Sequence, residues 1–187
     1  MHSRRIRGSP HSRGIGDPRI TQGRRTVPKR SAGLILYRHR SGDLQVLLVH
    51  PGGPYFAKKD AGAWSIPKGE YGDGEEPQAV ALREFEEETG VRLSGPLLTL
   101  GKIRQAGGKR VTAFALAGDL NPATICSNRF EIEWPPRSGR RQSFPEIDEA
   151  RWFTLHEARI RILAGQAPLL DRLRDVVAMP QGTGGTA

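Results

Sequence analysis

The stretch Gly69–Val91, GEYGDGEEPQAVALREFEEETGV, decides how the whole chain is read. Within it Arg83-Glu84-Phe85-Glu86-Glu87-Glu88 places carboxylates at i, i+3 and i+4, and at about 100° per helical residue Glu84, Glu87 and Glu88 share one face. Leu82 and Phe85 lie away from that face and supply an apolar stripe, while Pro77 suits a first helical turn and Gly90 a helix end. The spacing predicts a helix over Pro77–Thr89. Like charges this close repel by about a few tenths of a kcal/mol per pair even in water. A helix that gathers them leaves them solvated, as Glu-rich faces ordinarily are, or neutralises them with a cation.

The residues before the helix favour the cation. Gly69, Gly72 and Gly74 permit a loop that folds back and brings backbone oxygens towards the carboxylates. An all-oxygen site with few carboxylates suits magnesium or manganese, which take their remaining ligands from water and substrate phosphates. Gly69, Glu75, Arg83, Glu84, Phe85, Glu87, Glu88, Gly90 and Val91 also fill every fixed place of the pattern G-x5-E-x7-R-E-U-x-E-E-x-G-U, with U a bulky apolar residue. That pattern is the Nudix box, and the chain resembles the Nudix hydrolases. The resemblance implies an α/β/α sandwich with a mixed sheet and a loop–helix–loop metal site that cleaves a nucleoside diphosphate linked to another group, X. It also implies Glu84, Glu87 and Glu88 as metal ligands, with the Gly69 carbonyl a backbone ligand. The pattern of apolar runs alone reaches only a mixed α/β domain.

At 187 residues the chain suits one domain of ordinary size. We expect a tail over 1–30, a folded domain over 31–178 and a flexible end over 179–187. Of the net charge of +9, residues 1–30 hold +8, nine Lys or Arg against Asp17, so the remainder is nearly neutral. That tail, rich in Arg, Gly, Ser and Pro, has too few apolar residues to fold alone. Its competing readings are a solvated tail without a role, a nonspecific nucleic-acid contact, an organelle transit peptide and a misassigned start. No run reaches about 18 apolar residues, so no membrane span is expected and a soluble, cytoplasmic protein is. Cys126, the single cysteine, has no internal partner and no accompanying His or Asp pattern to make it a nucleophile.

Ser31–Tyr37 and Leu44–His50 are apolar runs around a polar turn, Arg38–Asp43, and predict a hairpin. His50 at a strand end reads as a hydrogen-bonded structural residue before it reads as a ligand. The long loop 51–63 sets Tyr55 and Phe56 beside Lys58 and Lys59, a composition that suits base stacking and phosphate steering as well as a solvated flap. Lys68, in Trp64-Ser65-Ile66-Pro67-Lys68-Gly69, would bring an ammonium to the mouth of the metal site. This W-x-x-P-K-G lead resembles the Nudix branch containing diadenosine tetraphosphate hydrolases and diphosphoinositol polyphosphate phosphatases.

Leu97–Gln105 and Lys109–Ala117 predict a second hairpin, with Arg104, Lys109 and Arg110 near its tip as phosphate candidates. Asn128–Trp134 alternates Phe130, Ile132 and Trp134 with charged residues and predicts a strand; the basic loop 137–141, including Arg137, would grip phosphate or stay hydrated. Phe144–Phe153 reads as a loop entering a strand, and helices are expected near 155–163 and 167–177. By resemblance to the diadenosine tetraphosphate hydrolases, Glu146, six residues before Trp152, takes the place of an extra metal ligand or base, with Glu149 and Glu133 its rivals.

These residues suit a charge-screening, water-activating site for phosphoanhydrides. Arg83 and Glu75 brace the loop, Lys68, Tyr55, Arg104 and Arg137 are candidates for holding a nucleoside polyphosphate, and Glu87, Glu88 and Glu146 are catalytic candidates, with Glu88 or Glu146 accepting the water proton. Dinucleoside polyphosphates are the favoured substrate. The other readings are cleanup of noncanonical nucleoside triphosphates, a 5′-end RNA hydrolase, and a non-enzymatic RNA-binding module.

Overall fold

The structure, a computed structural model, describes residues 29–179. Nearly all of the expected basic tail, residues 1–28, and of the expected flexible C-terminus, residues 180–187, lies outside the described residues.

β1 (Arg30–Arg40) and β2 (Asp43–Pro51) form the first hairpin, in register from Tyr37 opposite Val46 to Arg40 opposite Asp43. Its turn is only Ser41-Gly42, at φ 54° and 86°, shorter than the expected Arg38–Asp43 turn. Two positive-φ residues match the twist of paired strands, and backbone pairing continues through polar side chains that the apolar pattern reads as turn. Pro67 then leads into a short strand, β3 (Lys68–Glu70), antiparallel to the start of β1 with Gly69 opposite Ala32. The sequence reads a strand entering a glycine turn at Gly69; the strand instead continues through Gly69 to Glu70, because pairing with β1 carries it past the glycine. The helix α1 runs over Pro77–Thr89, as expected, and Gly90 ends it at φ 73° with its N–H on the Glu86 carbonyl.

β4 (Leu98–Arg104) and β5 (Arg110–Ala117) form the second expected hairpin, and β5 runs parallel to β1. β6 (Arg129–Glu133) and β7 (Arg141–Pro145) pair only with each other, so the segment expected to be a basic loop is in part a strand. β8 (Ile147–Thr154) then returns to pair with β2. The main sheet has the order β4-β5-β1-β2-β8, with β3 alongside β1. α2 (Leu155–Arg161), started by a Thr154–Glu157 capping box, and α3 (Pro168–Ala178) complete the chain.

The alternation along β1 makes the three layers. Ala32, Leu34 and Leu36 pack with Leu47, Phe114 and the α1 residues Val80, Ala81 and Phe85 on one face. Ile35 and Tyr37 pack with Val46, Leu48 and the Leu169–Leu170–Leu173 face of α3 on the other. A central parallel pair covered on both faces reads as a continuous apolar run, as β1 and β5 do. The result is an α/β/α sandwich around a mixed sheet. No helix among the described residues is long and apolar enough to cross a membrane.

Two contacts fix the long loop 51–63. His50 is buried, with Nδ1 2.6 Å from Asp148 Oδ1 and Nε2 2.7 Å from the Lys59 carbonyl, so it ties the loop to β8 as a structural residue. The Gly52 N–H donates to the Glu146 carbonyl at 2.9 Å, and a Cβ on Gly52 would lie 2.1 Å from the Pro145 carbonyl oxygen. Backbone meets backbone there, with no side chain free to yield. Overpacking of this kind costs about 1–3 kcal/mol, so Gly52→Ala is expected to lower Tm by about 3–10 °C, measured by thermal unfolding followed by circular dichroism.

Candidate active site

β3 and α1 build the site together. Phe85 is fully buried against the sheet, which turns the Glu84 and Glu88 side of α1 towards β3. Glu84 sits directly against Gly69: a Cβ at that position would lie 1.7 Å from Glu84 Oε2, so only glycine leaves room for the carboxylate. One turn further along, Glu88 Oε2 accepts the Lys68 backbone N–H at 3.3 Å. What β3 presents to the carboxylates is therefore one N–H and the bare Cα of a glycine.

Glu88 is the electrostatic centre. Burial pushes its carboxyl up to about 7, with the Glu84 and Glu146 charges adding to the rise and Lys68 opposing it. Lys68 is displaced the other way, its ammonium lowered first by burial and then by Lys109, against the pull of Glu88 and Glu84. Arg83 braces the face from outside, reaching Glu75 at 2.8 Å, Glu84 at 3.0 Å and Glu87 at 3.7 Å. The Glu75 carboxyl is held below its ordinary range by Arg83 and by the Gly72 N–H at 2.7 Å, which closes the loop before α1.

The sequence-predicted residues divide accordingly. Glu84, Glu88, Gly69 and Lys68 are together, and Glu146 is near enough for its charge to act on Glu88. Glu87 is half exposed and turned to Arg83, and among the described residues no three Asp, Glu, His or Cys side chains stand close enough to share an ion as they are arranged. The rivals of Glu146 are committed elsewhere: Glu149 pairs with Arg151, and Glu133 accepts the Gly139 N–H at 2.8 Å. Arg104 lies exposed at the end of β4 opposite Arg110, and Arg137 lies at the tip of the β6–β7 hairpin at φ 64°. Neither shares an ion pair with the carboxylate cluster among the described residues. Tyr55 is exposed and meets the Trp134 ring at 5.2 Å, a pairing that the sequence does not reveal because Trp134 reads as the apolar face of a strand.

The residues fit a hard divalent cation. Carboxylate oxygens gather against a glycine whose missing Cβ leaves them space, and Glu88 among them is largely out of water. Such a cation would be held by Glu84, Glu88 and Glu87, the last after leaving Arg83.

A fold of this kind carrying this helix and glycine defines a class of proteins, and comparison with known families bears it out. The NUDIX domain matches residues 27–173. The chain therefore belongs to the NUDIX family, a family of hydrolases. It is 30% identical over 135 residues, 72% of its length, to an octanoyltransferase of Myxococcus xanthus, of which it covers 33%. It is 57% identical over 30 residues to Nudix hydrolase 25 of Arabidopsis thaliana, 16% of this chain and 17% of that protein. The chain thus spans a third or less of the length of these curated relatives. Among solved structures it resembles the NUDIX domain of Shewanella oneidensis NrtR complexed with ADP ribose, at TM-score 0.56 and 16% identity over 82% of this chain and 90% of that one. A C. elegans Ap4A hydrolase binary complex matches at TM-score 0.53 and 21% identity, over 79% and 98%. At these identities the likeness is one of fold.

Because the folded protein raises the Glu88 pKa above its ordinary value, protonated Glu88 is favoured by folding. The metal-free protein has that advantage in full below about 4.5 and loses it as pH rises from there through about 7. Glu88→Gln, which stays neutral, is expected to match the wild type in Tm near pH 4 and to exceed it at pH 8. Thermal unfolding in chelator at the two pH values measures the difference.

Proposed function

We propose that the chain is a divalent-metal-dependent hydrolase of a phosphoanhydride bond in a nucleoside diphosphate linked to X. Dinucleoside polyphosphates are the favoured substrate and magnesium or manganese the favoured cation. The observation that carries this reading is the convergence of Glu84 and Glu88 on the Lys68–Gly69 backbone, with the Glu146 charge acting on the same carboxylate.

A divalent cation bound there would screen phosphate charge and acidify water. The chain's own groups supply the rest. The Lys68 ammonium meets a phosphate oxygen; burial lowers its pKa, against the pull of Glu88 and Glu84. Glu88 or Glu146 accepts the proton of the attacking water; a carboxylate raised to about 7 is a stronger base than an ordinary one at neutral pH. Arg83 holds Glu84 and Glu75 in register through the hydrogen bonds that also raise its own pKa. The preference for two nucleosides rests on the W-x-x-P-K-G lead. Cleanup of noncanonical nucleoside triphosphates is the alternative, and the same panel of substrates separates them.

The test is product release from diadenosine polyphosphates, canonical and oxidised nucleoside triphosphates and capped RNA, with magnesium, by wild type and Glu87→Gln. The expected result is turnover of the dinucleotides by wild type and a loss of orders of magnitude in the variant, with its unfolding transition retained. Equal rates in the two proteins would refute the assignment. Gly69→Ala is expected to give a folded protein with at least about tenfold lower turnover, since Glu84 must leave its seat.

A further inference from the structure

The β6–β7 hairpin contributes nothing to the main sheet, yet it is pressed firmly onto the loop that follows β2. A Cβ on Gly53 would lie 3.0 Å from the Phe130 ring, and Gly52 abuts Pro145 as described above. Further along the hairpin this seating brings Trp134 against Tyr55, ring centres 5.2 Å apart and planes at 79°. Tyr55 is 58% exposed, one of three large hydrophobic side chains so exposed among the described residues. An edge-to-face pair cannot cover both faces of both rings, so this one leaves aromatic surface open to solvent.

Cations follow both rings closely along the chain. Lys58 follows Tyr55 by three residues; Arg137 and Arg140 follow Trp134 in the turn, and the Trp134 N–H donates to the Arg140 carbonyl at 2.8 Å. Among the described residues none of these three cations has an ion-pair partner, although Glu131 is paired with Arg141 and Glu133 is held by the Gly139 N–H. The acids of the hairpin are occupied, while Arg137 and Arg140 in its turn have no ion-pair partner among the described residues. Open aromatic faces flanked by free cations are what a nucleobase joined to phosphate requires.

The place of the patch fits the second end of a substrate. The base of the hairpin, where Arg129 pairs with Pro145, adjoins Glu146, whose charge acts on Glu88. Trp134 lies about five residues up the hairpin, or about 15 Å at the usual strand rise. A short polyphosphate with its ribose covers such a gap.

We propose that Tyr55 and Trp134 form a stacking site for a second nucleobase, the one linked through phosphate to the nucleotide at the carboxylate cluster, with Lys58, Arg137 and Arg140 holding the intervening charge. This rests on the hydrolase reading and adds to it a subsite carried by a hairpin outside the main sheet. The base could belong to a dinucleoside polyphosphate or to the second residue of a 5′-triphosphorylated RNA, since both offer the same planar face beside phosphate.

The experiment compares Trp134→Leu with wild type on two one-base substrates, adenosine tetraphosphate and ATP. Each has a two-base counterpart, diadenosine tetraphosphate and a 5′-triphosphorylated dinucleotide. Loss of a stacked base is expected to lower kcat/KM about tenfold on a two-base substrate, chiefly through KM, with much less change on its one-base counterpart. Trp134→Phe, which keeps a ring, is expected to restore most of the loss. Whichever pair shows the effect identifies the source of the base. Equal losses on one-base and two-base substrates, or no loss on any, would overturn the proposal while leaving the hydrolase reading intact. Should wild type turn over none of the four, fluorescence quenching of wild type and Trp134→Phe by diadenosine tetraphosphate and adenosine tetraphosphate still decides the matter. Quenching by the two-base ligand that disappears with Trp134 supports the stacking site, and its absence refutes it.

Discussion

The seat that Gly69 offers to the Glu84 carboxylate is the contact on which the rest of the molecule depends. A strand and a helix can come this close only where one of them lacks a Cβ, and at 1.7 Å no other residue would leave the carboxylate in place. The closeness holds β3 beside α1, sets the Lys68 N–H over Glu88, and takes that carboxylate out of water. Its cost is a cluster of charges taken out of water, which displaces Glu88 upward and Lys68 downward. Such a cluster is unfavourable in the empty protein and favourable around a cation and phosphates, so the same groups that weaken the fold prepare the site.

Rigidity around the cluster comes from elsewhere. Phe85, Val80 and Ala81 anchor the apolar side of α1 in one layer, while Trp64 and Ile66, just before β3, belong to the core on the opposite face of the sheet. The segment 64–70 thus crosses from one core to the site, and its ends are fixed by packing that has no part in the chemistry. Gln166 adds a buried hydrogen bond to the Ile66 N–H at 3.0 Å, fixing the backbone three residues before Gly69. The loop after β2 is fastened separately, through His50 to Asp148 and through Gly52 to Glu146. Glu146 therefore belongs both to the clasp, by its backbone, and to the carboxylate cluster, by its charge.

The hairpin β6–β7 shapes the surface without taking part in the main sheet. It pairs only with itself, leaves the five-strand path of the sheet intact, and touches the domain through two glycines that accept its backbone and the Phe130 ring. Its charges are arranged so that acids are satisfied and arginines face outward, which gives the free rim of the loop a positive, aromatic character.

By itself the sequence determined the helix Pro77–Thr89, its carboxylate face, the two main hairpins and the domain class, because each rests on local periodicity or on a fixed spacing of residue types. Tertiary structure alone decided that the strand before α1 continues through Gly69 to Glu70, that residues 141–145 pair with β6, that Glu87 turns to Arg83 while Glu84 and Glu88 turn inward, and that Tyr55 meets Trp134. The physical reason is range. A glycine's missing Cβ, a backbone N–H aimed at a carboxylate, or two rings 79 residues apart acquire meaning only when the folded chain supplies the partner.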